Sequence, residues 1–370
     1  MHDLAHSDDP KSFVKGGGSV GFREVGLKRV NVLRVAWMSV RIAIVGCGAV
    51  AEMGHIPAAR RLETVSLAAL VDSDKARAEE LAQRFEVPKI ASSLTEVADH
   101  IDAVILATPP HVRPALAEQA FGAGLHVLCE KPFANSSADC RIILRAARQA
   151  KRVLAVGHTC RFLPNRIHVR SLLQEKFLGT RFAVDVEQGH PSDWPTRTGY
   201  SVRHDLIPGG VLLNEGIHSL DTLFWWFGPP LNLEYQDDAL GGLESNARIK
   251  MDFTGGISGE FRVSRTCKLR NRIVIQGEAG TISVPLYDQA QVLIERNGQT
   301  TTHNLASRHW DFVGMVSEQL QDFVQSIETE TPPRATGEDG LVVVEFIEKC
   351  YAATRQRPLP RRAPIPGLTW

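Results

Sequence analysis

The chain is predicted to be an α/β protein, with an N-terminal Rossmann-type doubly wound parallel sheet. A C-terminal α+β domain with a large, mostly antiparallel, open-faced sheet is expected to follow. Three observations carry this reading. From residue 40 to residue 157 short apolar runs alternate with helical stretches, the pattern of parallel strands joined by crossover helices. The first run leads directly into Gly46-Cys47-Gly48-Ala49-Val50-Ala51, a glycine turn that opens a helix-compatible segment. After Arg161 the texture changes to segments with period-2 alternation, which divide into an apolar and a polar face.

The glycine turn has a physical logic. Gly46 permits the tight turn, Gly48 lets a pyrophosphate approach the backbone, and small Ala51 lets the helix pack on the strand. The helix N-terminus, with Ala49 and Val50, offers free N–H groups and a positive dipole end to phosphates. A second strand, 66–71, ends on Asp72, 21 residues beyond Ala51, where a dinucleotide fold places the carboxylate that holds the adenosine ribose. The turn is expected to bind a nicotinamide dinucleotide. A carboxylate at position 72 accepts from a 2′-hydroxyl and repels a 2′-phosphate, which favours NAD, with NADP the alternative through Lys75 or Arg77. Asp74 also reads as the N-cap of the helix that follows.

The remaining elements follow in order. A helix is expected over 74–85, a short run at 89–91, a helix near 94–99, and a strand over 102–108 ending at Thr108-Pro109-Pro110. A helix closing on Gly124, a strand over 126–130 ending at Glu130-Lys131-Pro132, a helix over 137–150 and a strand over 152–157 complete the sheet. Ligands of such sheets bind at the carboxyl ends of the strands. Thr108, Pro109 and His111 in one turn, and Glu130 and Lys131 in the other, are therefore expected to line the cofactor. Beyond a helical segment at 164–176 come strands at 180–188, 247–253, 257–265, 272–277, 281–285 and 291–297. Gly209-Gly210 opens a helix running to 227, and helices near 316–327 and 337–354 are expected to return to the domain junction. The boundaries read as 1–39 for a poorly ordered extension, 40–160 for the dinucleotide domain and 161–360 for the substrate and oligomerisation domain.

Composition excludes several classes. Lys plus Arg and Asp plus Glu both number 42, so no net field recruits nucleic acid or an anionic membrane. No apolar run approaches membrane-spanning length. The six cysteines form no CxxC pair and read as reduced thiols of a cytoplasmic protein, with no metal or disulfide framework.

Two further features place chemistry beside the cofactor. Lys131 sits just past a strand end, and Asn214, His218 and Asp221 share one face of a helix over 210–227. A solvated surface lysine and an ordinary polar helix face are the plain alternatives for each. The ordered set of G-x-G-x-x-A, T-P-P, A-G-x-H-V-x-x-E-K-P and G-G-x-L-x-N-x-G-x-H-x-x-D resembles the Gfo/Idh/MocA oxidoreductase family, from about residue 40 to about 360. The resemblance implies Lys131 as the catalytic lysine and His218 as the acid–base group. Asn214 stands where many members have Asp, and Arg113 where His is common after the Thr-Pro turn. It implies reversible oxidation of a secondary alcohol on a sugar, cyclitol or related polyol, with Lys131 stabilising the alkoxide. A redox-elimination glycosidase and a non-catalytic dinucleotide sensor are the rival activities. It also implies a homodimer or homotetramer formed through the second sheet. Arg161, Trp194, Arg197, Tyr200, Arg203 and His204 are candidate substrate contacts, Arg161 with an interdomain salt bridge as its alternative.

Overall fold

The structure, a computed structural model, describes residues 39–191, 199–239, 242–305 and 311–356. The expectations for residues 1–38 and for Trp194 and Arg197 lie outside the described residues.

Six short strands form the first sheet: β1 (Val40–Val45), β2 (Val65–Val71), β3 (Lys89–Ala91), β4 (Ala103–Leu106), β5 (His126–Cys129) and β6 (Leu154–Val156). All pair in parallel, in the order β3-β2-β1-β4-β5-β6. The strand order reverses between β1 and β4, and a crevice opens there at the carboxyl ends. Strands buried on both faces need continuous apolar runs. Val104, Ile105 and Leu106 of β4 and Val127, Leu128 and Cys129 of β5 are accordingly fully buried. The crossover helices are α1 (Ile56–Arg61), α2 (Lys75–Phe85), α3 (Arg113–Gly122) and α4 (Ser137–Ala150). Asp74 caps α2 by accepting from the Arg77 N–H, and Ser136 caps α4 by accepting from that of Asp139.

Two local expectations need correction. The helix expected near 94–99 is a pair of 3₁₀ turns, 94–96 and 98–100, the first closed by a Ser93–Glu96 capping box. The helix after the glycine turn begins as a π turn, Ala51–His55, and becomes α-helical only at Ile56, one residue before Pro57.

Helix α5 (Pro164–Gln174) leads to strand β7 (Phe182–Gly189), then to a π turn over Leu212–Gly216 that continues as α6 (Ile217–Phe227). Strands β8 (Asn232–Asp237), β9 (Asn246–Phe253), β10 (Ile257–Ser264), β11 (Arg272–Gly277), β12 (Gly280–Pro285), β13 (Gln291–Arg296) and β14 (Gln299–Asn304) complete an eight-stranded sheet. Only the β7–β10 pair is parallel, the others being antiparallel. β8 and β14 were not expected from the sequence. Residues Ile249, Met251 and Phe253 are buried and Lys250 and Asp252 exposed, so the sheet has one face on α6 and one polar face. Ion pairs lace that polar face, including Arg248–Glu260 at 2.9 Å and Arg262–Glu187 at 2.6 Å.

Helices α7 (Phe312–Thr329) and α8 (Gly337–Gln356) return to the first sheet. Leu320, Phe323 and Val324 of α7 share a core with β1 and β2. Glu345 of α8 pairs with Arg141 of α4. Among the described residues no helix is long and apolar enough to cross a membrane.

Candidate active site

The cofactor side is built from backbone. At the end of β1, Gly46 adopts φ +98°, and a Cβ there would lie 2.8 Å from the Ala107 carbonyl carbon and oxygen. Only glycine lets the turn pass so close to the β4 exit. A Cβ on Gly48 would meet nothing within 4 Å, so that side of the turn is open, as the approach of a pyrophosphate requires. Asp72 is drawn across the turn: Oδ2 accepts from the Cys47 N–H at 2.6 Å and Oδ1 from the Asp74 N–H at 2.9 Å. Thr108 brings a buried hydroxyl with no partner among the described residues. An open glycine turn, a fixed carboxylate and an orphaned hydroxyl around one crevice fit a dinucleotide. Ala49 and Val50 are partly exposed at the helix start, and His111 is exposed on the turn after Pro109.

Of the two basic residues that would have favoured NADP, Arg77 is held elsewhere and Lys75 sits in an exposed pair. Arg77 is buried, its Nε donating to the Cys47 carbonyl at 3.0 Å and its Nη groups meeting Glu52 and Glu80. Lys75 pairs with Glu79 at 3.7 Å.

Arg113 is a clamp. Its side chain is fully buried, and its guanidinium donates to the carbonyls of Thr108, Glu130 and Pro132. It ties the β4 and β5 exits together by their backbones. Glu130 is buried as well, with Oε1 2.8 Å from His55 Nε2 and Oε2 accepting from the Lys131 N–H at 2.9 Å. Burial opposes its charge, but the His55 hydrogen bond and the Lys131 and Arg113 cations outweigh this and hold it at about 2.

From this platform Lys131 Nζ donates to the Asn214 carbonyl at 2.9 Å. Two carbonyls of this π turn accept from side chains of other segments. Asn214 takes Lys131, and Glu215 takes Gln188 Nε2 at 3.1 Å. Asn214 lies in the π turn and His218 in the α-helix that continues it. The Asn214 amide points back to the Gly210 carbonyl at 3.0 Å. Glu244 holds the helix start, its carboxylate accepting from the Gly210 and Leu212 N–H groups at 2.7 and 2.9 Å. A carboxylate at a helix N-terminus is stabilising.

Burial lowers the Lys131 ammonium from its usual range, opposed by the Glu130 and Glu215 carboxylates. Enclosure, then the Lys131 cation and the His158 ring, push His218 well below the ordinary imidazole range. Its Nδ1 is buried without a partner among the described residues.

Of the expected substrate contacts, Arg161 is corrected. Its guanidinium is buried on Asp221, with Nη2 2.7 Å from Oδ1, and its Nη1 donates to Asp339 at 3.0 Å and to the Arg334 carbonyl at 2.9 Å. The salt-bridge alternative describes it. Tyr200 is half-buried and packs against the core of the second sheet. His204 is exposed beside Asp205, and Arg203 pairs with that Asp205 at 2.6 Å. Four residues near the site were not anticipated: His55, His158, His190 and Tyr287. The Tyr287 hydroxyl lies 2.9 Å from His190 Nδ1, within range of Glu215 and Cys160. No local pattern marks them, since each converges from a different segment.

Comparison with known proteins agrees with this architecture. Residues 40–158 match the model of an oxidoreductase family's NAD-binding Rossmann fold, and residues 200–360 match that family's C-terminal alpha/beta domain. An inositol 2-dehydrogenase/D-chiro-inositol 3-dehydrogenase of Shouchella clausii is 28% identical over 85% of this chain and 92% of its own. A D-apiose dehydrogenase of Paraburkholderia graminis is 25% identical over 85% of this chain and 87% of its own. The solved aldose-aldose oxidoreductase of Caulobacter crescentus, complexed with glycerol, shares the fold with a TM-score of 0.79 at 24% identity, covering 86% of this chain and 98% of that one. With both of its halves matched in order, the chain belongs to the Gfo/Idh/MocA family of oxidoreductases.

Proposed function

We propose that the chain interconverts a secondary alcohol and a ketone on a sugar, cyclitol or related polyol, with NAD as hydride acceptor and donor. The observation that carries this is the Lys131–Asn214 contact. It sets an ammonium from the cofactor-lined β5 exit against the turn that leads into His218.

Held by the Gly46–Gly48 turn and Asp72, NAD would supply the hydride acceptor for the carbinol carbon. His218 takes the hydroxyl proton at Nε2. Its depressed pKa keeps the ring neutral, and so ready as a base, at neutral pH. Lys131 holds the substrate oxygen and stabilises the alkoxide charge, with Glu130 and Glu215 favouring its charged form. Asn214 supplies the carbonyl that positions Lys131. Asp72, with Arg77 held elsewhere and Lys75 in an exposed pair, supports NAD over NADP. The names of the relatives, inositol and apiose dehydrogenases among them, support the substrate class. The polar face of the second sheet is the surface through which we expect a homodimer or homotetramer, and the free cysteines suit a cytoplasmic enzyme.

A panel of sugars, cyclitols and nucleotide sugars, followed at the NADH absorbance, tests the reading. Turnover with at least one polyol is expected. Tight NAD binding with no turnover on any of them would overturn it in favour of a sensor.

A further inference from the structure

The backbone around Lys131 is held by buried charged side chains. Arg113 Nη1 donates to the Glu130 carbonyl before Lys131 and to the Pro132 carbonyl after it. Between them the Lys131 N–H donates to Glu130 Oε2 at 2.9 Å. The other carboxylate oxygen, Oε1, lies 2.8 Å from Nε2 of His55. Glu130 is 5% exposed and His55 0%, and these two hydrogen bonds are all that the carboxylate has among the described residues. His55 closes the π turn 51–55. Its neighbour Gly54 lets α7 seal that turn, since a Cβ there would stand 2.8 Å from the Phe312 ring.

An ionised carboxylate only accepts, so the hydrogen between the two side chains is the one on His55 Nε2. The His55 Nδ1 has no partner among the described residues, and a ring with no exposure meets no ligand. Its one polar contact is therefore with Glu130. A buried carboxylate is costly unless it is hydrogen-bonded, and this one spends its two bonds on His55 and on the Lys131 backbone. We propose that the His55–Glu130 pair is a positioning device for Lys131: His55 holds the carboxylate against the Lys131 N–H, and the carboxylate so held fixes that residue and sustains its ammonium beside the substrate oxygen. This rests on Lys131 being the alkoxide stabiliser.

The charges around Lys131 give the sign of the effect. Burial works against the ammonium, and Glu130 is the foremost group that favours it, with Glu215 and Cys160 acting the same way and Arg113 opposing. His218 faces it as well. Facing Glu130 are His55, Lys131 and Arg113, with His158 and Tyr200 also in its field. Neutralising Glu130 leaves a buried ammonium beside the Arg113 guanidinium, so Lys131 gives up its proton at a lower pH. Alcohol oxidation slows as the ammonium is lost, and its alkaline limb follows the Lys131 titration.

The test sets the Lys131 titration, read by carbon-13 NMR of its Cε in the full-length protein and assigned by its loss in Lys131→Met, beside the pH profile of alcohol oxidation. Glu130→Gln removes only the charge, since an amide can serve both neighbours once His55 switches tautomer. It should lower the Lys131 titration by about one to two pH units and draw the alkaline limb down with it. His55→Phe removes the hold and keeps the charge; it should give a smaller shift of the same sign and lower kcat about tenfold. His55→Gln, whose amide N–H replaces that of Nε2, should restore the titration and most of kcat. A wild-type Lys131 titration in Glu130→Gln would overturn the proposal, and this variant decides even if His55→Phe does not fold. Wild-type behaviour of His55→Phe, or a His55→Gln no better than His55→Phe, would also overturn it. A shifted titration in Glu130→Gln with an unmoved turnover profile would instead remove the underlying reading of Lys131 and leave the pair's hold on its charge as measured.

Discussion

The two sides of the crevice are made differently. On the cofactor side, recognition runs through backbone: a glycine turn at φ +98°, N–H groups at a helix start, and one carboxylate tied to that turn at 2.6 Å. All of it comes from residues 46–72 and the Thr108 turn. On the side proposed for catalysis, side chains arrive from remote segments: Lys131 from the β5 exit and His218 from a helix whose start is held by Glu244. Backbone recognition is written locally, whereas side-chain convergence is written only in the fold.

Breaking the catalytic side should have the largest effect. Lys131→Ala is expected to reduce turnover by roughly two to four orders of magnitude, because a cation beside a developing alkoxide acts mainly in the transition state. NAD affinity, measured by titration, should hardly change.

The two glycines divide the cofactor side into fold and function. Gly46→Ala meets the Ala107 backbone at 2.8 Å and should lower stability by about 1–3 kcal/mol in urea unfolding. Gly48→Ala meets nothing within 4 Å, so it should leave stability nearly intact while weakening NAD binding. Equal effects of the two would break the distinction.

Smaller still is the change in cofactor preference. Asp72→Ser with Ser73→Arg should shift the ratio of NAD to NADP use toward NADP by removing repulsion of the 2′-phosphate. A wild type that already uses both equally would contradict the role given to Asp72.

The smallest effect separates a titration of the fold from that of the site. Burial, aided by the Arg152 cation, lowers His126 to about 4, and its neutral Nδ1 accepts from the Val153 N–H at 3.0 Å. Folding thus favours the neutral ring. Its contribution is complete above the unfolded value near ~6.5 and is lost as pH falls from there toward 4. His126→Gln should flatten that part of the stability profile without altering the pH dependence of turnover.

This contrast also explains what could be read in advance. The parallel sheet, the glycine turn, Asp72 and the Asp74 cap were legible because periodicity and capping are local. The 249–253 alternation was legible for the same reason. β8 and β14 were not, since NLEYQD alternates over only two apolar residues, Leu233 and Tyr235, and QTTTHN has none. The π turns at 51–55 and 212–216 were hidden because spacing alone does not tell i, i+4 from i, i+5. Arg161 and Arg113 show the limit for charged residues. Arg161 looks like a ligand-binding group in the sequence and Arg113 stands where the family commonly has His, and both are spent on the protein itself, one on Asp221 and Asp339, the other on three carbonyls. Partners so distant in sequence leave no local trace.

The central claim is that His218 is the base while the cofactor side stands independently of it. The direct measurement is His218→Ala, with NAD binding and the pH profile of alcohol oxidation recorded together. The account predicts unchanged NAD affinity, turnover lower by roughly two to four orders of magnitude, and loss of the acid limb, which in the wild type lies well below pH ~6.5. Near-normal turnover with the same pH dependence would contradict it.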